Sequence, residues 1–342
     1  MNKDITKVSS PAIPTTLPLL KQTLVLALLS LGCGGGARYD APPTLRSGGA
    51  RWTVVADWPR LPSGLTLGAV SGVAVSPQGN VVIVHRGDRR FNETGLADTT
   101  TIKMPVIVEL DATTGAVLRT WGAGAFLIPH SLTIDSKGNY WITDVGRQQI
   151  LKFSDKAELL LTVGEWRKAG ETRSLFNLPT DVVVNDDGSF FVSDGYRNSR
   201  IIQFDSNGVY IREWGEKGSA RGQLDTPHGV ARDGDGDLYV ADRENFRVQK
   251  FNAAGQFIRQ WPESPDSSLV FDVEVTRSGL VYVALDRSRD AVAILDSGFR
   301  PIGRISFDST SALFGHNLTV VGDSVIYLAD TDRRRVVKIA KR

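Results

Sequence analysis

Short apolar stretches recur along the chain, and each is followed by a turn rich in Gly, Asp and Asn. A second stretch then ends in Asp, a third has the form R-I/V-x-K/Q-F, and a fourth often ends in Trp-Gly. Apolar stretches of this length that are separated by such turns indicate β-strands. The clearest copies of this four-strand unit cover residues 128–165, 178–215 and 226–262.

Weaker copies of the unit complete the pattern, at about 68–123 and 269–307, and a last copy begins at 314 and stops after three strands. Six units of four short strands, at a period of roughly 45 residues, predict an all-β fold, a six-bladed β-propeller. Because a ring of blades must close, we expect residues 51–59 to supply the missing strand of the sixth blade. Second strands end at Asp144, Asp194, Asp242 and Asp330, and fourth strands end at Trp121, Trp214 and Trp261.

The first strand of every propeller blade lines the central channel, so equivalent positions in the units form a ring around one axis. The residues at this position are Ser71, His130, Thr180, His228, Phe271 and His316. Histidine therefore stands on alternate blades, and three of the four histidines of the chain would converge on the channel. Three neutral imidazoles with an open fourth position are typical of catalytic zinc sites. Zinc is favoured over copper or nickel because the ring has no thiolate or carboxylate; a polar channel lining is the alternative.

Two further polar residues follow second strands, Arg86 within HRGD in unit one and Tyr196 within DGYRN in unit three. Both side chains would reach toward the same axis. Arginine stays cationic and binds carboxylates bidentately, and a tyrosine beside a dication can have a lowered pKa and act as a base. The alternative interpretation is that Arg86 forms surface ion pairs and that Tyr196 packs on a loop.

The composition agrees with one large, turn-rich domain: 342 residues, 41% of them hydrophobic, with 34 glycines. The net charge is +2 and no basic cluster is interleaved with aromatic residues, so we expect no nucleic-acid partner. The single cysteine excludes an internal disulfide. We expect a monomer.

The N-terminal segment differs in character from the rest of the chain. An apolar run at 24–33 follows three lysines and is too short to span a membrane comfortably, so residues 1–33 indicate a signal peptide. The run ends at Cys33, and this pattern resembles a bacterial lipoprotein signal in which the cysteine is lipidated. An ordinary export signal and an uncleaved apolar tail remain alternatives. We therefore expect an exported protein of the bacterial envelope, with residues 34–50 as a flexible linker and residues 51–342 as the propeller.

The repeats resemble a known family. Strands of the type R-x-x-K-F are typical of NHL-repeat propellers. A more specific resemblance, to the peptidylamidoglycolate lyase family, covers the chain from about 52 to 339. It is carried by VSGVAVSPQGNVVIVHRGDR (70–89), IPHSLTIDSKGNYWITDV (128–145), LPTDVVV with FVSDGYRNSRIIQF (178–204) and REWGEKGSARGQLDTPHGVA with LYVADRENFRVQKF (212–251).

The resemblance implies a zinc-dependent lyase. In that family three histidines bind zinc, and they match His130, His228 and His316; the catalytic arginine and tyrosine match Arg86 and Tyr196. The implied substrate is a peptide or small acyl compound that ends in α-hydroxyglycine, and the implied products are an amide and glyoxylate.

The resemblance also implies a structural calcium ion in the channel. Two main-chain carbonyl ligands of the family match Val73 and Leu132, and a third ligand, an aspartate, matches Asn317. An amide offers calcium an oxygen but no charge, so we expect weaker binding or none. The family's disulfides are missing as well, since Arg197 stands where a cysteine is usual.

Two other functions remain open at the level of the sequence. One is a non-catalytic NHL propeller that acts as a binding module on the bacterial envelope, which would hold no tight metal and would not depend on Tyr196. The other is a metal-dependent lactonase or hydrolase. Propellers of that class usually hold calcium through Glu, Asn and Asp, whereas the ring in this chain is built of histidines.

Overall fold

The computed structural model describes residues 45–46, 52–91, 99–262, 268–286, 290–307 and 315–342. In each of six blades, strands that are consecutive in the chain pair antiparallel with one another, and in two of the sheets an N-terminal segment adds an outer strand. The second strands of blades two, three and four are buried along their whole length. In the turn after β7 (Pro129–Ile134), Gly138 has φ +83°, which glycine adopts without strain.

The first three blades have four strands each. Blade one contains β3 (Val70–Val75), β4 (Val81–His85), β5 (Ile107–Leu110) and β6 (Val117–Trp121). Blade two contains β7, β8 (Tyr140–Asp144), β9 (Gln149–Phe153) and β10 (Leu159–Val163). Blade three contains β11 (Asp181–Val184), β12 (Phe190–Asp194), β13 (Arg200–Phe204) and β14 (Tyr210–Trp214).

Blades four to six follow the same order. Blade four contains β15 (Pro227–Arg232), β16 (Leu238–Asp242), the 3₁₀ helix η1 (Arg243–Asn245), β17 (Arg247–Phe251) and β18 (Phe257–Trp261). Blade five contains β19 (Leu269–Val275), β20 (Val281–Asp286), β21 (Asp290–Leu295) and β22 (Pro301–Phe307). Blade six contains β23 (Gly315–Val321), β24 (Val325–Asp330) and β25 (Arg335–Lys341).

The predicted closure of the ring is confirmed. Strand β2 (Trp52–Val54) pairs antiparallel with β25 and becomes the fourth strand of blade six. The core between blades six and one is continuous, because Tyr327 and Ala329 of β24 belong to the same buried cluster as Val73 and Ile83. The inner strands β3, β7, β11, β15, β19 and β23 contact one another in this order, and β23 contacts β3.

The structure differs from the sequence prediction within the linker. Leu45–Arg46 forms a short strand, β1, that pairs with the outer strand β22 of blade five. The free edge of an outer strand presents unpaired N–H and C=O groups, which a passing segment can satisfy. The predicted signal peptide at 1–33, Cys33 and the other linker residues lie outside the described residues. No helix within the described ranges is long and apolar enough to span a membrane.

The inner strands share an irregularity at the ring position. In β3, β7, β15, β19 and β23 the pairing register shifts there, so that one residue is left without a Cα partner on the second strand. Such a β-bulge sets two consecutive residues against one and changes the direction of a side chain. The five bulged residues are Ser71, His130, His228, Phe271 and His316. The sixth ring residue, Thr180, lies directly before β11.

Candidate metal centre

Three histidines from alternate blades meet in the channel. The ring centroids of His130 and His228 lie 4.9 Å apart, those of His130 and His316 4.7 Å, and those of His228 and His316 4.9 Å. All three side chains are buried, and one nitrogen from each lies within 4.8 Å of the others. The three imidazoles thus form a nearly equilateral triangle that could hold one metal ion.

The other three ring residues orient these imidazoles. The Nδ1 atom of each histidine lies within hydrogen-bond distance of the main-chain carbonyl oxygen of the ring residue on the following blade, where Nδ1–H donates. The pairs are His130 with Thr180 (2.8 Å), His228 with Phe271 (2.7 Å) and His316 with Ser71 (2.8 Å). These bonds put the proton on Nδ1 and leave the lone pair on Nε2. A carbonyl acceptor behind a histidine is the usual support of a metal ligand.

Burial keeps the imidazoles neutral. It lowers the pKa of His130, His228 and His316 well below the usual value. The positive charges of neighbouring groups, Arg86 and Arg243 among them, lower these pKa values further. Neutral imidazole is the form that binds a metal. The site therefore does not need a high pH to offer three ligands.

The structure brings Arg86 and Tyr196 to this triangle. The hydroxyl oxygen of Tyr196 lies 2.8 Å from Nε2 of His130 and 3.2 Å from Nε2 of His228. Arg86 Nη2 donates to Nε2 of His316 at 3.4 Å, and Arg86 Nε donates to the carbonyl oxygen of Pro129 at 3.2 Å. Arg86 is only 5% exposed, so it is not a surface ion-pair residue. Each Nε2 thus faces either a phenol or a guanidinium.

Two residues at this end of the channel were not predicted from the sequence. The guanidinium carbon of Arg243 lies 5.1 Å from the ring centroid of Tyr196 and 5.3 Å from that of Phe271. The ring of Phe91 lies 4.9 Å from that of Tyr196 and 5.1 Å from the guanidinium carbon of Arg86. Arg243 directly follows the end of β16, as Arg86 follows the end of β4, so the repeat register could have revealed it.

Acidic side chains occupy the next position along the inner strands. Asp181 and Asp272 directly follow the ring residues of blades three and five, and Asn317 follows that of blade six. Asp181 accepts from the Ser131 hydroxyl and from Val230 N–H at 2.9 Å. With Glu274, they line a cavity of about 360 Å³. Sequence reasoning missed Asp181 and Asp272 because strict alternation would turn both residues away from the channel.

The residues matched to the family's calcium site lie at this acidic end. Asn317 Oδ1 accepts from Val73 N–H at 2.7 Å, and Asn317 Nδ2 donates to Asp272 Oδ2 at 2.7 Å. Val73, Leu132 and Asn317 line the acidic cavity. The amide oxygen of Asn317 is therefore engaged by the main chain, and the carboxylate nearest to it belongs to Asp272.

Comparison with known proteins gives a consistent relationship. A family model described as NHL repeat matches residues 126–153, 176–204 and 224–251. A probable peptidyl-alpha-hydroxyglycine alpha-amidating lyase of Caenorhabditis elegans is 32% identical over 290 residues, which cover 80% of this chain and 83% of the relative. Peptidyl-glycine alpha-amidating monooxygenase A of Xenopus laevis is 34% identical, with coverage of 83% of this chain and 33% of the relative. The chain thus spans about a third of that longer protein.

Solved structures support the fold. A gluconolactonase from Xanthomonas campestris superposes with a TM-score of 0.63 at 18% identity, covering 89% of this chain and 96% of that one. A streptogramin B lyase superposes with a TM-score of 0.59 at 12% identity, covering 85% and 98%. At these identities the similarity concerns the fold alone.

Proposed function

The chain belongs to the peptidyl-alpha-hydroxyglycine alpha-amidating lyase family, and from this premise we propose that it cleaves the C–N bond of a peptidyl- or acyl-α-hydroxyglycine. The products would be an amide and glyoxylate. The observation that carries the proposal is the convergence of Arg86 and Tyr196 on three neutral histidines. The alternative of a non-catalytic binding module is not favoured, since relatives across most of the chain are named as lyases.

The residues present fit a zinc ion. His130, His228 and His316 would bind it through Nε2, because their Nδ1 atoms are held by carbonyl acceptors. Three histidines with one open position are the ligand set of catalytic zinc. Bound zinc would supply Lewis acidity that polarises a substrate oxygen and makes a hydroxyl more acidic.

Arg86 would bind the carboxylate of the substrate. Its guanidinium is buried beside His316, and burial lowers its pKa, an effect that the neighbouring Tyr196 and Asp144 oppose. Guanidinium forms bidentate hydrogen bonds with carboxylates and stays charged in proteins. Because Arg86 and His316 are buried, this bond would both orient the hydroxyglycine group and stabilise negative charge as glyoxylate forms.

Tyr196 would move the proton. Its oxygen lies within hydrogen-bond distance of the imidazoles of His130 and His228, and the guanidiniums of Arg86 and Arg243 lie near enough to stabilise a phenolate. As phenolate, Tyr196 would accept the proton of the carbinol hydroxyl, the C–O bond would become a carbonyl, and the C–N bond would break. The amide nitrogen takes up one proton, so that R–CO–NH–CH(OH)–COO⁻ yields R–CO–NH₂ and OHC–COO⁻ without any other reactant.

A calcium ion fits the acidic end less well than zinc fits the histidine end. Asn317 offers no charge, and its oxygen already accepts from Val73 N–H. We propose that an ion there would rely on the carboxylate of Asp272, with the carbonyls of Val73 and Leu132 as the ligands that the resemblance implies.

We propose export to the bacterial envelope on the basis of the apolar run at 24–33, with a lipid on Cys33. Mass spectrometry of the mature N-terminal peptide tests this. A peptide that begins at Cys33 with added acyl mass is expected, and an unmodified chain that retains residues 1–32 would contradict it.

The lyase proposal is tested by product analysis with α-hydroxyhippurate, a small acyl-α-hydroxyglycine. Metal-loaded protein should release benzamide and glyoxylate in equal amounts. The Tyr196→Phe variant serves as the matched control, since it removes only the phenolic oxygen. Absence of glyoxylate from the metal-loaded wild-type protein would contradict the proposal.

A further inference from the structure

The fourth histidine, His85, occupies a position that other blades give to aspartate. It ends the second strand of blade one, where β8, β12, β16, β20 and β24 all end in Asp. In blades three, four and six this Asp bonds an arginine opposite it on the third strand. The pairs are Asp194–Arg200 (3.0 Å), Asp242–Arg247 (2.7 Å) and Asp330–Arg335 (3.0 Å).

Blade one replaces both members of the pair. His85 stands where the aspartate would be. The main-chain N–H of His85 donates to the carbonyl oxygen of Val106 at 3.0 Å, so Val106 is at the position of the arginine. Both side chains are fully buried. The site beside Arg86 therefore lacks the carboxylate and the arginine partner that Asp194, Asp242 and Asp330 have.

His85 accepts two main-chain hydrogen bonds on one nitrogen. Gly68 N–H donates to Nδ1 at 3.2 Å, and Gly87 N–H donates to the same atom at 3.0 Å. The proton must then be on Nε2, which is buried and has no hydrogen-bond partner among the described residues. Burial lowers the pKa of His85 to about 4, so the imidazole is neutral at ordinary pH.

These two bonds fix the backbone on either side of Arg86. Gly87 directly follows Arg86, and the N–H of Arg86 donates to the carbonyl oxygen of Ala69, next to Gly68, at 2.9 Å. The two segments approach so closely that a Cβ on Gly68 would lie 2.0 Å from the carbonyl oxygen of Gly87. A small displacement of either segment would therefore move the root of the Arg86 side chain.

The charge of the acceptor matters as much as its position. An aspartate could also accept main-chain N–H bonds at this position, as Asp144 does from Leu127 and Ile128 in blade two. At position 85, however, a buried carboxylate would face Val106 instead of an arginine, and the guanidinium of Arg86 would be the cation next to it along the chain. An anion at this point would compete with, and repel, a bound carboxylate.

We propose that His85 is a positioning residue for Arg86: a neutral acceptor that holds the Gly68 and Gly87 backbone in place without setting a carboxylate directly beside Arg86 in the chain. The proposal rests on the proposed function in taking Arg86 as the group that binds the substrate carboxylate.

The test compares His85→Asn with His85→Asp, which are nearly isosteric and differ in charge. The probe is hippurate, which has the carboxylate of α-hydroxyhippurate but no hydroxyl, and its affinity is measured by calorimetry. His85→Asn should bind hippurate within about threefold of wild type, and His85→Asp at least about tenfold more weakly, since like charges close together are costly. KM for α-hydroxyhippurate should follow the same order, with a smaller change in kcat. Equal losses in both variants, or none in either, would overturn the proposal.

Crystal structures of the two variants separate this proposal from the proposed function. Arg86 should keep its contact with His316 in His85→Asn and leave it in His85→Asp. If the wild type released no glyoxylate and yet Arg86 moved only in His85→Asp, the lyase assignment would fail and the positioning role would stand. An unmoved Arg86 in both variants would overturn the positioning role whatever the activity.

A third variant covers the case in which His85→Asp does not fold. His85→Leu removes the acceptor without adding charge, so Gly68 and Gly87 lose their partner. It should bind hippurate at least about tenfold more weakly than His85→Asn. Equal affinity of these two variants would overturn the proposal.

Discussion

Consecutive residues of the inner strands form two sets of side chains in the channel, a histidine end and an acidic end, and the two differ in chemistry. At one end His130, His228 and His316 form a triangle, and carbonyl oxygens orient each imidazole. At the other end Asp181 and Asp272 are buried, and the charge of Asp181 contributes to raising the pKa of Asp272. Burial acts on both sets and favours the uncharged form.

The same physical effect has opposite consequences for metal binding. Burial lowers the pKa of the histidines, and the neutral imidazole is the form that binds a metal. Burial raises the pKa of Asp181 to about 6. Burial also raises the pKa of Asp272 well above the usual value, and the negative charges of Asp181 and Glu274 add to this effect. A protonated carboxyl is a poor ligand, so an ion at the acidic end must displace protons. The histidine end is prepared for a metal, and the acidic end is not.

The largest expected effect comes from removal of one histidine. His228→Ala leaves two imidazoles, so we expect loss of the bound metal and a fall of glyoxylate release to background. The acidic end should be unaffected, and any response of the melting temperature to calcium should persist. Metal analysis and an activity assay on the same sample check this, and full activity in the variant would contradict the metal centre.

Removal of the phenol should separate chemistry from metal binding. Tyr196→Phe keeps the three ligands and loses the proton acceptor, so we expect unchanged metal content and a kcat lower by about 10²–10⁴-fold. Steady-state kinetics with α-hydroxyhippurate, beside metal analysis, provide the measurement. A kcat equal to that of the wild type would show that Tyr196 is not the base.

A charge added at the acidic end should make it resemble the histidine end as a metal site. Asn317→Asp places a third carboxyl beside Asp272, which Asn317 now contacts through Nδ2. We expect the variant to melt lower than wild type without calcium. At a calcium concentration one hundred times its Kd, the variant should gain about 2–3 kcal/mol of stability, and wild type should gain less at the same concentration. Thermal denaturation with and without calcium checks this; equal shifts in both proteins would refute it.

The smallest expected effect is on pH dependence. Burial, and secondarily Asp181, raises the pKa of Glu274 to about 8, above the value of the unfolded chain. Glu274 therefore stabilises the fold fully below about pH 4.5, and this contribution is lost as the pH rises through about 8. Glu274→Gln should melt higher than wild type at pH 9, and the difference should shrink toward pH 5. A constant difference across this range would show that Glu274 does not titrate as stated.

The repeat is what made much of the fold predictable. Six copies of one pattern give the number of blades, the closing strand and the residues that share a ring, because equivalent positions in a closed array must be equivalent in space. The ends of β8, β12 and β16 fell at the predicted aspartates for the same reason. The short pairing of Leu45 and Arg46 with β22 carries no such periodic signal.

The parts that sequence reasoning missed depend on departures from regular geometry. The β-bulges at the ring position leave no mark in the hydrophobic pattern, so strict alternation gave no reason to expect Asp272 to face the channel beside Phe271. The orienting bonds to Thr180, Phe271 and Ser71 use main-chain oxygens, which any residue could supply. Arg243 could have been found by aligning the position after each second strand, where Arg86 also lies.

The central claim, that the histidine triangle holds the metal of a lyase, is tested most directly by one titration. Metal-free protein is titrated with zinc while glyoxylate release from α-hydroxyhippurate is recorded. The account predicts activity that rises linearly and stops rising at one zinc per chain. Activity of the metal-free protein equal to that at the end point, or no glyoxylate at any zinc concentration, would contradict it.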